Sequence, residues 1–163
     1  MEKKLIEVTR LVPCSVVLLS VATKDKRDVM TATATFVAEN LPLMTVSVSK
    51  KSNCHELIEK SGEFALNVAA ADQVGLARKL GATHGREVDK FKEFSIKTEA
   101  AEKIAAPLIT GSLANIECKV VTSFPASHYL VYLVEAVALK ADDKKIPVAW
   151  FKDKYYALEK ATN

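Results

Sequence analysis

A cluster of hydroxyl and basic side chains occupies residues 49–55, SKKSNCH. It lies where a strand-like segment runs into a helix-like one, and Asn53 followed by Glu56 three positions later is typical of a helix N-cap. Unpaired amides at a helix start carry partial positive charge, and nearby hydroxyl and ammonium groups complete what a phosphate needs. The pattern indicates an anion site, with a plain helix start flanked by solvated lysines as the alternative.

Cys54 and His55 are neighbours in this cluster. A position in the first helical turn lowers the pKa of a thiol and favours a reactive thiolate, whereas a small buried cysteine is the ordinary alternative. Adjacent helical side chains diverge by roughly 100°, so a Cys54–His55 catalytic pair is not expected. The three cysteines and three histidines lack zinc-ligand spacing, and we expect no metal.

Threonine and serine alternate with apolar residues in two segments, MTATATF at 30–36 and LMTVSVS at 43–49. Alternate side chains of a strand share a face, so Thr31, Thr33 and Thr35 lie opposite Met30 and Ala32. If the two strands pair, their hydroxyls form one polar wall suited to a flat heteroaromatic ligand or a ribityl chain. A solvated sheet face is the alternative, because threonine favours strands by its own shape.

Two further segments carry charged or titratable groups. HGREVDKF at 84–91 puts Arg86 and Lys90 four positions apart, on one face if helical, with Glu87 and Asp89 available to pair with them. His128 precedes the apolar run LVYLVEAVAL, which is typical of a strand covered on both faces. The alternatives to ligand contacts are surface charge for the first segment and a backbone-bonded strand-end histidine for the second.

The scaffold that positions these residues is predicted to be mainly β. Strand-like segments at 14–23, 29–36 and 43–49 precede a helix in NCHELIEKSG, a strand at 63–69 and a helix at 71–81. Strands resume at 113–122 and 127–139, with a last one near 155–158. About six or seven strands with two inserted helices predict an antiparallel β-barrel with helical additions.

Composition restricts the class of protein. With 163 residues, 49% of them hydrophobic, we expect one domain spanning 1–163 with its own core. A net charge of +3, only four arginines and no basic stripe argue against nucleic-acid binding. The five glycines form neither GxGxxG nor a P-loop, which excludes the standard glycine-cradled nucleotide sites.

Cysteine usage and hydropathy indicate a location. Three cysteines without a CxxC motif favour a reducing compartment, and we expect the cytoplasm. The apolar run at 11–23 is too short to span a bilayer, and Glu7 and Arg10 interrupt its approach. We therefore read that run as a strand and expect no membrane partner.

The two longest motifs resemble the flavin reductase-like family with an FMN-binding split barrel. CHELIEKSGEFALNV at 54–68 is similar to the family's small residue, HELI, polar residues, SGEF and strand ending in NV. HGREVDKF is similar to its GR, acidic, VDKF segment, and weaker echoes are VPCSVVLLSV, VMTATATF, APLI and SHYLVYLVEAV. The resemblance covers most of the chain, and the family includes flavoredoxins and reductase components of two-component monooxygenases.

The resemblance implies an antiparallel split β-barrel with two or three inserted helices, FMN as cofactor and NAD(P)H as hydride donor. His128 is the candidate catalytic residue, near the flavin and the incoming nicotinamide, and Lys90 matches the family's lysine beside the flavin. The candidate cofactor contacts are Met30, Thr31, Ala32 and Thr33 at the ring, Ser47, Ser49, Lys50, Ser52 and His55 at the ribityl phosphate, and also Cys54, Arg86 and Lys90.

The chain departs from the family pattern at several positions. Asp28 stands where many members have Asn, Ala34 replaces a frequent Trp that covers the ring, and Val134 replaces a Gly. Candidate substitutes for an aromatic lid are Trp150, Phe151 and Tyr155.

The resemblance implies NAD(P)H-dependent flavin reduction, with electrons passed on to a flavin or another acceptor. The alternatives are a flavoredoxin-like carrier reduced by a partner protein and a flavin-binding module without turnover. A monooxygenase or electron-transfer protein is the candidate partner. We also expect a homodimer, because a barrel core can cover only one side of the strand at 129–139, the side of Tyr132 and Val134, and leaves Val131 and Leu133 outward.

Overall fold

The computed structural model describes residues 7–159. Within these residues there are four α-helices, α1 (Val8–Leu11), α2 (Asn53–Ser61), α3 (Val74–Ala82) and α4 (Lys90–Glu93), and a 3₁₀ turn at Ala71–Gln73. The strands are β1 (Cys14–Ser15), β2 (Val17–Ala22), β3 (Arg27–Ala32), β4 (Ala34–Phe36), β5 (Leu43–Ser49), β6 (Glu63–Val68), β7 (Thr98–Glu99), β8 (Leu108–Ile109), β9 (Ala114–Ala126), β10 (Tyr129–Ala141), β11 (Val148–Phe151) and β12 (Lys154–Ala157).

Seven of these strands form one curled antiparallel sheet in the order β3-β2-β6-β9-β10-β5-β4. A three-stranded sheet, β1-β11-β12, and the small β7-β8 pair accompany it. The predicted mainly β class and split-barrel architecture are confirmed. The terminal hairpin is only half predicted, since the sequence indicates a strand near 155–158 but not its partner β11.

The large sheet is buried on both faces at its centre. Along β2, Val17 and Leu19 pack on the side of α2, whereas Leu18 packs with Val29 and Ala77 on the side of α3. All six residues of β2 are therefore buried, which explains its mainly apolar sequence; the one polar residue, Ser20, donates its hydroxyl to the Pro107 carbonyl at 2.6 Å. We call these sides the α2 face and the α3 face.

Segment 29–36 forms two strands rather than one. Thr33 interrupts it, β3 pairs with β2, and β4 pairs with β5. The predicted alternation holds within β3, because Met30 packs on the α2 face and Thr31 on the α3 face. The wall built by pairing the whole of 29–36 with 43–49 is wrong, since only β4 lies against β5.

The N-cap of α2 lies one residue earlier than the sequence predicts. Ser52 is the N-cap, and its hydroxyl accepts from the His55 amide at 3.2 Å, so Asn53 is the first helical residue rather than the cap. Gly62 closes the helix as predicted, in a left-handed conformation with φ +68°.

Strand β10 buries the predicted inward side. Tyr132 and Val134 are buried, while Val131 and Leu133 on the opposite side are half-buried. Simple alternation ends at a register shift between Ala136 and Ala138, so the predicted outward assignment of later residues does not follow from strand period alone.

Candidate functional site

The segment that follows β5 is bonded to the tight β9–β10 turn. Register places Ser49 opposite Tyr129, so Lys50 reaches the turn residues. The Lys50 amide donates to the His128 carbonyl at 2.9 Å, and Lys50 Nζ donates to the Ser127 carbonyl at 2.9 Å. The sheet therefore brings the predicted anion cluster beside His128, which is 78 residues after Lys50 in the sequence.

The same cluster contacts the strand predicted to meet a flavin ring. Ser52 Oγ lies 3.6 Å from Met30 Sδ, and the Ser52 amide donates to the Ser49 carbonyl at 2.9 Å. This turn puts the cap of α2 against β3. Residues predicted for the phosphate end and for the ring end of one ligand thus lie at one continuous edge.

A cavity lined by both hydroxyl-bearing and apolar side chains lies along β4 and β5. Its volume is about 520 Å³, and Thr35 and Thr45 face each other in register across β4 and β5. The hydroxyl-bearing side chains of its lining also include Thr33 and Ser47. Thr31 is elsewhere, because its hydroxyl donates to the Ala77 carbonyl of α3 at 2.6 Å. Hydroxyls of β4, β5 and Thr33 therefore line one cavity, whereas Thr31 of β3, which was predicted to belong to the same wall, does not.

Two aromatic residues of the β11–β12 hairpin pack on the α3 face, beside the end of β3. Trp150 and Tyr155 are cross-strand partners and line a cavity of about 210 Å³ with residues 31–33, which include Ala32. The Arg78 guanidinium lies 5.2 Å from the Tyr155 ring centroid. Phe151 packs against Tyr156 instead, so the hairpin offers two of its three candidate aromatic residues to this cavity.

Lys90 lies beneath β3 in a buried ion pair. Its Nζ is 3.2 Å from Asp28 Oδ1 and donates to the Val29 carbonyl at 2.6 Å. Asn53 Nδ2 donates to the other Asp28 oxygen at 3.0 Å. The Lys90 ammonium is therefore paired with Asp28, which is two residues before Met30 in β3. This role of Asp28 was not predicted from the sequence, although the departure from Asn at this position was its signal.

Arg86 does not share a face with Lys90, because residues 85–88 form turns and bends rather than helix. Its guanidinium pairs with Glu56 of α2, not with Glu87. Arg86 and Glu56 line an open cavity of about 890 Å³ beside the start of α2. The turn needs Gly85, since a Cβ there would collide with the Asp28 carboxylate.

Cys54 points into the core on the α2 face and is fully buried. Burial, and then the nearby Asp28 carboxylate, raise the pKa of the Cys54 thiol well above its usual range. The alternative of a small buried cysteine therefore describes this residue, and the reactive thiolate is wrong. Only its backbone amide, in the first turn of α2, remains available for a cofactor contact.

His55 and His128 differ in their surroundings. His128 is exposed at the β9–β10 turn, and its carbonyl rather than its ring holds Lys50. His55 is half-buried, and its Nδ1 lies 2.8 Å from the Tyr132 hydroxyl. Tyr132 is a second residue that the sequence analysis missed, because a tyrosine within an apolar run looks like core.

Residues 7–159 contain no group of three or more His, Cys, Asp or Glu side chains placed to hold a metal ion. Within the same range, no helix has both the length and the apolar character required to cross a membrane.

Comparison with known proteins identifies relatives of this architecture. Residues 9–159 match the family model described as "Flavin reductase like domain". The reductase subunit HsaB of a flavin-dependent monooxygenase from Rhodococcus jostii is 28% identical over 148 residues, covering 90% of this chain and 73% of that protein. Actinorhodin polyketide dimerase of Streptomyces coelicolor is 26% identical over 117 residues, which are 72% of this chain and only 63% of the dimerase.

Solved structures show the same fold. The NADH:FAD oxidoreductase SgcE6 of Streptomyces globisporus C-1027 superimposes with a TM-score of 0.87 at 22% identity, covering 98% of this chain and 96% of that one. Flavoredoxin of Desulfovibrio vulgaris (Miyazaki F) gives a TM-score of 0.86 at 22% identity, with coverage of 100% and 96%.

Proposed function

This chain belongs to the flavin reductase-like family, and we propose that it is an NAD(P)H-dependent flavin reductase that holds FMN along β3, β5 and the start of α2. In this proposal Met30, Ala32 and Thr33 meet the ring, and the cluster around Lys50 and Ser52 meets the phosphate. When bound, the flavin supplies the hydride-accepting and electron-releasing chemistry.

One observation carries the proposal: the cap of α2 touches β3, through Ser52 and Met30, while Lys50 is bonded to the turn that bears His128. The predicted anion cluster, the strand proposed to meet the ring and an exposed histidine are thus neighbours in space. Helix-start amides and an ammonium group suit a phosphate, and they suit it better together than either does alone.

The protein's own residues would bind and orient the reactants rather than exchange protons. The hydroxyls of Thr33 and Ser47 offer hydrogen bonds at the 520 Å³ cavity. The Asp28–Lys90 pair fixes β3 against α2 and α4, so the strand that meets the ring is rigid. His128 is exposed and can contact an incoming nicotinamide.

We further propose a homodimer that covers the outward side of β10. Tyr129 and Phe124 are each about half exposed, at 49% and 51%; Val131 pairs in register with Phe124 and lies two residues from Tyr129 along β10. A contiguous aromatic and aliphatic patch of this kind is typical of a subunit interface. It borders Ser49 and His128, so subunit contact and cofactor retention would be linked.

A carrier function is the second candidate, and the likeness to a flavoredoxin fold supports it. The FAD named for the solved oxidoreductase makes FAD the competing flavin. Titration calorimetry with FMN, FAD and riboflavin measures which flavin is preferred.

Anaerobic rapid mixing of the FMN-loaded protein with NADH or NADPH tests the function. We expect bleaching of the visible flavin absorbance within a single turnover by at least one nicotinamide, followed by reoxidation when free flavin is added. Bleaching only by a reduced partner protein would make the chain a carrier. No bleaching by either reductant would leave a binding module and overturn the proposal.

A further inference from the structure

A hydrogen-bond relay runs from the start of α2 into the core and back to the same helix. His55 Nδ1 lies 2.8 Å from the Tyr132 hydroxyl, and that hydroxyl donates to Glu59 Oε1 at 2.8 Å. His55 and Glu59 are four residues apart, which places both on the face of α2 that meets β10. Tyr132 closes the relay from the opposite wall.

Tyr132 has little freedom in this arrangement. It is 1% exposed, and its ring packs edge-on against Phe64 with centroids 6.3 Å apart. Burial, followed by the hydrogen bond to Glu59, raises the pKa of the Tyr132 hydroxyl far above its usual range, so it keeps its proton. A rigid, protonated hydroxyl gives the relay a fixed direction.

That direction determines the protonation of the imidazole. The only proton of the Tyr132 hydroxyl goes to Glu59, so the hydroxyl oxygen must accept from His55. His55 therefore carries its proton on Nδ1, and Nε2 of the neutral ring is a lone-pair acceptor. Among residues 7–159, no protein group bonds Nε2.

We infer that Tyr132 and Glu59 are positioning residues that hold His55 as the Nδ1–H tautomer, so that binding of a phosphate at Nε2 takes up a proton. The inference rests on the proposed function, which places the FMN phosphate at this end of α2. A neutral Nε2 repels a phosphate dianion, whereas the imidazolium donates to it and is stabilised by Glu59 through the Tyr132 hydroxyl.

Other charged groups lie near this end of the helix. Lys50 Nζ donates to the Ser127 carbonyl and keeps further N–H groups for the phosphate, whereas Glu56 pairs with Arg86. The Lys51 side chain is exposed to solvent. We assign the proton uptake to His55 because a phosphate monoester is itself nearly fully ionised at mildly alkaline pH.

The tautomer can be read without any ligand. Long-range ¹⁵N–¹H NMR of the three histidines, assigned with a His55→Gln variant, distinguishes Nδ1–H from Nε2–H. We expect His55 to be Nδ1–H in the native protein and in Glu59→Gln, which keeps the acceptor. In Glu59→Ala the freed hydroxyl donates to Nδ1, and in Tyr132→Phe nothing accepts from it, so both variants shift His55 to Nε2–H.

Glu59 is exposed, so Glu59→Ala keeps the test decisive if Tyr132→Phe does not fold. Lys60→Ala, exposed on the same helix, is the matched control and should leave the tautomer unchanged. Nε2–H in the native protein, or Nδ1–H retained in Glu59→Ala, would overturn the inference. A failure of flavin reduction alone would leave this readout untouched.

The consequence for binding is measured by calorimetry in buffers of different ionisation enthalpy at mildly alkaline pH. We expect uptake of about one proton per FMN and none per riboflavin in the native protein, falling to near zero for FMN in Glu59→Ala. Equal proton uptake for FMN and riboflavin would also defeat the inference. If neither flavin binds, the proposed function fails instead.

Discussion

Lys90 Nζ lies 3.2 Å from Asp28 Oδ1, and each of these side chains is only 3% exposed. The pair joins α4 to β3, and Asn53 extends the contact to the first residue of α2. One buried carboxylate therefore ties together three elements that border the candidate flavin site.

Removing one member of this pair should be costly. Lys90→Met leaves the Asp28 carboxylate buried without its ammonium partner, which costs about 3–5 kcal/mol in the free energy of unfolding. Urea denaturation measures the change. Lys92→Met, on an exposed side chain of the same helix, is the control and should change stability by less than about 0.5 kcal/mol. Equal effects of the two substitutions would show that the pair is not a structural anchor.

Ser52→Asp should weaken the binding of FMN but not that of riboflavin. Aspartate keeps the N-cap hydrogen bond but places a carboxylate against the proposed phosphate. Each lost charge-assisted bond costs about 1.5–3 kcal/mol, so FMN affinity should fall roughly 10- to 100-fold while riboflavin affinity changes little. Fluorescence titration with both ligands measures this, and Ser52→Asn is the neutral control. An equal loss for both flavins would remove the phosphate from this segment.

His128→Ala should slow flavin reduction and leave FMN bound. The ring is exposed and its backbone carbonyl, which holds Lys50, is retained by alanine. Loss of one hydrogen bond in the transition state predicts roughly a three- to tenfold slower hydride transfer in anaerobic single turnover. His84→Ala, another exposed histidine, is the control. An unchanged rate in His128→Ala would return His128 to a purely structural role.

The three cysteines should react at different rates with a thiol reagent at mildly alkaline pH. Cys14 is half-buried, whereas Cys54 and Cys118 are fully buried. Burial raises the pKa of the Cys118 thiol to about 12, so the attacking thiolate is scarce as well as inaccessible. We expect one fast thiol, absent in Cys14→Ser, and two that react only on unfolding; a fast Cys54 would contradict its burial.

The sign of the associated pH dependence follows from the raised pKa of Cys118. In the unfolded chain the thiol ionises near its ordinary pKa of about 8.5, so the unfolded state loses its proton first as pH rises. Its contribution to stability is complete below that value and is lost as the pH approaches about 12. Denaturation at stepped alkaline pH, with Cys118→Ala for comparison, measures it.

Val131→Asp should disrupt the proposed dimer and release FMN. The native protein is expected to sediment at about twice 17.8 kDa, and a carboxylate on the outward side of β10 cannot be buried in an apolar interface without a partner. Analytical ultracentrifugation with absorbance at the flavin band follows mass and cofactor together. A folded native monomer that keeps FMN at micromolar concentration would defeat both the interface and its link to the cofactor.

Local patterns carry a large part of this structure. The alternation around Met30 and Thr31 assigns them to opposite faces, and the HELI segment followed by Gly62 predicts α2 and its end. These features depend on neighbours within a few residues, because strand period and helix capping are local properties of the chain. The motifs at 54–68 and 84–91 also determine the family, since two long segments in the right order identify it.

Tertiary structure alone decided the partners of the charged and polar groups. Sequence spacing suggested Glu87 and Asp89 for Arg86 and Lys90, yet the chain turns at 85–88 and delivers them to Glu56 and Asp28. Ion pairs and relays depend on which elements pack together, and the Tyr132–His55 contact crosses from β10 to α2. Sheet order likewise brought Lys50 to His128, because the register between β5 and β10 is set by long-range packing that no local pattern encodes.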